Sequence, residues 1–135
     1  MTLSALLESL RSYLETATPT NRAGVGDDFH VIVDLPQNNR MAGTRAVCIW
    51  AVPSFFPPEM VACGMRETTI TITNARPDAP GALGQTLDDS DTLLDAAELW
   101  AGANSVQLTS DGAGSIDSTD GGFLATRTIT ARWSR

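Results

Sequence analysis

Leu3, Leu6, Leu7, Leu10 and Leu14 recur at helical spacing near the start of the chain, with Glu8, Arg11 and Glu15 on the other faces. That spacing predicts an amphipathic helix with one apolar stripe. Thr2 or Ser4 can cap its start, and Pro19 stops it near Thr18, because proline disfavours α geometry in the residue before it. A single apolar stripe must pack on something.

The pattern then changes period. After a glycine-rich stretch over 21–28, "FHVIVDL" alternates Val31, Val33 and Leu35 against Ile32 and Asp34, a strand ended by Pro36. "RAVCIWAV" is apolar on both faces, as suits a central strand. "RETTITITNAR" alternates cleanly, with Ile70 and Ile72 to one side and Thr69, Thr71 and Thr73 to the other.

A Pro/Gly-rich connection over 74–86 leads to a second predicted helix, Leu87 to Ala101. Thr86 with Asp89, or Thr92 with Asp95, fits a capping box. Asp88, Asp89 and Asp91 fall in its first turn, where the helix dipole favours acids. Leu87, Leu94, Ala97 and Ala101, flanked by Leu93 and Trp100, supply the buried stripe, and Gly102 is the expected stop. A short strand carries Val106 and Leu108 inward. A loop from Asp111 to Gly122 then leads to a last strand, "FLATRTITARW", alternating Phe123, Ala125, Ile129, Ala131 and Trp133 with Leu124 and threonines.

Helix, strands, helix, strands is most economically an α+β two-layer domain: a mostly antiparallel sheet with both helices on one face. The other face would carry Thr69, Thr71, Thr73, Thr126, Thr128 and Thr130, a threonine ladder turned to water or to a partner. At 135 residues and 42% hydrophobic, the chain is expected to be one domain over 1–135 with a real core. No apolar run approaches a membrane span, and the N-terminus lacks the pattern of a signal peptide, so an intracellular site of synthesis and no membrane are expected.

Charge changes the picture. The net charge is −7, lysine is absent, and all nine basic residues are arginine. Between Arg76 and Arg127 every charged residue is acidic. A broad basic patch for nucleic acid is therefore not expected. The acids read either as a solvated surface or as one that faces DNA without holding it.

Candidate chemistry is sparse. His30 is the single histidine and is read as a strand residue at a sheet edge; Cys48, inside an apolar strand, would be kept protonated. Cys48 and Cys63 are expected to be free, buried thiols without a disulfide. "DGAGSIDSTDGG" lacks the glutamate of a calcium loop, "GVGDD" and "GALGQT" lack the phosphate-loop ending, and no zinc spacing occurs. The expectation is no catalytic residue, no cofactor, no metal and no enzyme. What does stand out is "WAVPSFFPPEMVACG", in which Pro53, Pro57 and Pro58 break regular hydrogen bonding around apolar Phe55, Phe56, Met60 and Val61. A segment of this kind is covered either by its own domain or by a neighbour.

The "LSALLESLRSYLE" helix, the "VIVDLP", "RAVCIWAV" and "RETTITITNAR" strands, the acidic "LDDSDTLLDAAELW" helix, "SVQL" and the closing "ATRTITARW" strand together resemble the tail terminator or tail-completion (neck) proteins of long-tailed bacteriophages. The resemblance implies a structural virion protein, made in the host cytoplasm and carried in the tail or neck. It would form a homo-oligomeric ring, usually a hexamer, that caps the tail tube and joins the tail to the head. Its partners would be copies of itself, the tail tube protein and a head–tail connector or stopper protein, with DNA passing through without specific binding. Phe55, Phe56, Met60 and Val61 then become expected ring-interface residues. A neighbouring connector or stopper role, and a monomeric binding module or small enzyme, are the alternatives.

Overall fold

Thr2 opens the first helix, α1 (Leu3–Thr16), by accepting a bond from the Ala5 N–H at its Oγ1, 3.1 Å away. The structure is a computed structural model and describes residues 2–16, 30–34, 46–52, 64–119 and 121–134. Leu6, Leu7, Leu10 and Leu14 are buried, as the leucine spacing predicts, and Leu3 is partly buried against them. On the outer face Arg11 pairs with both Glu8 and Glu15.

Five described strands form one sheet: β1 (His30–Val33), β2 (Ala46–Val52), β3 (Met65–Pro77), β4 (Gln107–Thr119) and β5 (Gly122–Ser134). Their spatial order is β1-β2-β3-β5-β4. β1 lies parallel to β2, which needs a crossover connection; every other pair is antiparallel. β2 is therefore an inner strand, in keeping with its two apolar faces. Val31, Val47, Ile49, Ile70, Ile72, Ile129, Ala131 and Trp133 turn to one side of the sheet and form a single core with α1 and the second helix. Both helices thus share one face, and the chain has the predicted α+β two-layer architecture.

The second helix, α2 (Ala82–Ala103), departs from its predicted bounds at both ends. It begins five residues before Leu87, straight after Pro80 and a left-handed Gly81 (φ 80°). Gly84 inside the first turn costs about 1 kcal/mol relative to alanine. Burial of Ala82 and Thr86 against β3 offsets it, with Asn74 Nδ2 donating to the Thr86 carbonyl at 3.1 Å. Neither capping box forms: Thr86 Oγ1 donates back to the Ala82 carbonyl and Thr92 Oγ1 to that of Asp88. With the earlier start, no acid lies in the first turn. Gly102 is helical, and the stop is Asn104, whose backbone and side-chain nitrogens both reach the Trp100 carbonyl. The predicted stripe holds except at its first residue. Leu93, Ala97, Trp100 and Ala101 are buried, whereas Leu87 is 46% exposed.

The predicted loop from Asp111 to Gly122 is mostly strand. β4 continues to Thr119, with a break in register between Ser110 and Gly114, and turns through Gly121 into β5. A bulge accommodates the small, polar residues that read as loop in sequence. Gly122 sits where a Cβ would come within 2.0 Å of the Arg76 carbonyl oxygen, at φ 155°, so only glycine fits this close crossing. Strict alternation in β5 also fails at Leu124 and Ala125, which are both buried, because the two faces each have a core.

Candidate functional site

Of the residues singled out from sequence, Phe55, Phe56, Met60 and Val61 lie outside the described residues, as does Cys63. His30 belongs by its backbone to β1, as the strand reading expects, at one edge of the described sheet; its side chain is likewise outside the described set. Cys48 is 1% exposed and unbridged, and burial, followed by the charge of Asp34, pushes its thiol pKa up. That is an inert thiol rather than a nucleophile. Among the described residues no group of three or more His, Cys, Asp or Glu side chains could hold a metal ion, and no helix is long and apolar enough to cross a membrane.

The surfaces are more informative than any single side chain. On the sheet face opposite the helices, three threonine pairs stand directly across from one another: Thr69 with Thr130, Thr71 with Thr128, and Thr73 with Thr126. The last pair shares a hydrogen bond of 3.2 Å between hydroxyls. The ladder is the predicted one, and its members are mostly half-buried. Unpredicted is the small second core at its end, where Cys48, Ala75 and Leu124 are buried with Trp50 packed on them. At the opposite end Arg132 of β5 pairs with Glu67 of β3.

Two arginines tie α2 to the sheet. Arg76, at the end of β3, grips Asp89 with two bonds, Nε to Oδ2 at 2.5 Å and Nη2 to Oδ1 at 3.2 Å, and also donates to Gln85. Arg127 of β5 donates to Ser90 Oγ at 2.8 Å and pairs with Asp91. Sequence reasoning assigned these acids to the helix dipole. Their actual role is to receive strand arginines that the sequence places far away. The bidentate pairing also fixes the orientation of α2 on the sheet.

Between the first half of α2 and the β4–β5 hairpin lies an open groove of about 230 Å³, lined in part by Leu87, Ser90, Ile116 and Arg127. Leu83 and Leu87, one turn apart on α2, are each 46% exposed, and Ile116 on β4 is 38% exposed. β4 is the second edge of the described sheet, where alternate backbone groups have no described strand partner. Large apolar side chains exposed together beside a strand form a surface suited to association. The periodic pattern missed it because Leu87 was counted into the buried stripe.

No family model matches this chain, and no curated protein matches it as a relative.

Proposed function

We propose that this chain is a structural subunit of the neck of a long-tailed bacteriophage, forming a ring that caps the tail tube and joins the tail to the head. One observation supports the reading above others. The domain has the element order that the resemblance implies, and it leaves a threonine-lined sheet face and an apolar-rimmed strand edge free of any described partner element. Such surfaces are what a subunit of a closed ring offers its neighbours. The acidic stretch between Arg76 and Arg127 fits a conduit in which DNA slides rather than binds. Phe55, Phe56, Met60 and Val61 enter the proposal from sequence alone, as apolar side chains covered by the next subunit.

Solution mass and electron microscopy of the purified protein test it. A ring of several copies that seats on the end of isolated tail tubes is the expected result. Changing Phe55 and Phe56 to Asp should abolish the ring while circular dichroism stays unchanged. A ring that seats on the head portal instead would favour the connector or stopper role. A protein that stays monomeric with and without tail tubes would be a binding module or enzyme, and the proposal would fall.

A further inference from the structure

We infer that the groove between α2 and β4 is a docking site for a cationic amphipathic helix of a different protein. The inference does not need the ring. It gives the groove to that partner and leaves the threonine face for contacts between copies.

Leu83, Leu87, Asp91, Asp95 and Leu99 follow one another at four-residue steps, so they form a single row along α2. All five are exposed, Leu99 at 66%. The row is about 24 Å long at ~1.5 Å per residue, enough to receive a partner helix lying alongside. The sheet beside it has room for one. In the described fold α1 packs on β1 and β2, and α2 mainly on β3 and β5. Ile116 of β4 lies opposite Ala125, itself opposite Asn74, whose amide reaches α2. Ile116 therefore belongs to the helix side of the sheet, yet it is exposed, and no described helix lies over it.

Charge names the occupant. Asp88 and Glu98 stand next to the row and are also exposed, and α2 has no basic residue of its own. Acids three or four apart on a helix repel, as Asp88 does Asp91, Asp91 does Asp95 and Asp95 does Glu98. Among the described ion pairs only that of Asp91 with Arg127 relieves this face. Self-repelling acids and exposed leucines both weaken α2 by itself. A helix with apolar anchors and flanking Lys or Arg, laid along the row, offsets both at once.

The same charge disfavours the other occupants. A second copy turned face to face sets acids against acids, and nucleic acid or an anionic lipid surface is repelled likewise. Arg11, Arg76, Arg127 and Arg132 are each held by an acid of their own subunit, and Arg66 is half-buried. No described surface of a second copy thus presents a set of free cations.

The probe is a fluorescein-labelled model helix of leucines and lysines, with a twin in which every lysine is glutamate. Anisotropy on the purified full chain should show the lysine peptide binding about tenfold or more tighter than its twin, and weakening as salt rises. Leu87→Ser with Ile116→Ser, and separately Asp95→Asn with Glu98→Gln, should each weaken that binding about tenfold with circular dichroism unchanged. Glu8→Gln, on α1, should leave it unaltered, which separates the groove from net charge. No binding of the lysine peptide, equal binding of the twin, or equal losses in Glu8→Gln and the groove variants would overturn the inference. Self-association in light scattering that Leu87→Ser with Ile116→Ser abolishes would overturn it too, since a second copy then fills the groove. Groove-dependent binding by a protein that never forms a ring would uphold it while the ring reading falls.

Discussion

Arg76 and Asp89, thirteen residues apart on β3 and α2, meet in a two-bond ion pair in which the carboxylate side chain is only 4% exposed. A buried carboxylate in such a pair is costly to strand, because removing one partner leaves an uncompensated charge. Asp89→Ala or Arg76→Ala should therefore lower stability by about 3 kcal/mol, since breaking buried pairs costs ~3–5 kcal/mol and the Arg76 end is partly solvated. Replacing both together with Arg76→Met and Asp89→Leu should recover most of that loss. Urea unfolding of the three variants checks it; single variants within 1 kcal/mol of wild type, on the scale set for exposed pairs, would show that the pair does not orient α2.

Two glycines should respond to alanine with opposite signs. At Gly122 the added methyl meets the Arg76 carbonyl oxygen at 2.0 Å, so β5 must shift against β3. At Gly102, inside α2, the methyl meets open space. Gly122→Ala should destabilise by several kcal/mol, whereas Gly102→Ala should stabilise by up to about 1 kcal/mol. Thermal melts of the two variants read both signs directly.

Trp100 anchors α2 to α1. Its ring is 1% exposed, and its Nε1–H donates to Ser9 Oγ at 3.0 Å across ninety-one residues of sequence. Ser9→Ala leaves the buried indole donor without this acceptor and should cost about 1–3 kcal/mol. Trp100→Ala, which also opens a cavity, should cost about 3–5 kcal/mol. Equal stability of Ser9→Ala and wild type in chemical unfolding would mean that water replaces the hydroxyl.

Cys48 gives a pH prediction. Burial holds its thiol pKa above the ordinary value, so the folded state keeps a proton that the unfolded chain releases. The contribution is full below the unfolded thiol pKa of about 8.5 and is lost as pH rises through and beyond it. Cys48→Ala should flatten the alkaline decline of stability relative to wild type. In native protein Cys48 should also resist thiol reagents that modify it rapidly in denaturant; fast native labelling at Cys48 would contradict its burial.

Local periodicity carried most of the fold. The leucines of α1, the clean alternation of Ile70 and Ile72 against threonines, and the doubly apolar β2 each state their own period and their own buried face. From these, the two-layer α+β class and the face shared by Thr69, Thr71, Thr73, Thr126, Thr128 and Thr130 were both legible. Both depend on neighbours along the chain or on the strict period of two.

What needed tertiary structure was every feature whose energy comes from a distant partner. α2 starts at Ala82 because Ala82 and Thr86 are buried and Asn74 of β3 holds the Thr86 carbonyl, against the local preference of "PGALG". β4 runs through glycines and aspartates because β5 supplies hydrogen-bond partners, which no propensity of "SDGAGSID" would predict. Asp89 and Asp91 look like dipole acids until Arg76 and Arg127 arrive from other strands. The exposed rim of Leu83, Leu87 and Ile116 arises the same way. A hydrophobic pattern says that a side chain favours burial, but only packing decides which apolar side chains are left on the surface for something else to cover.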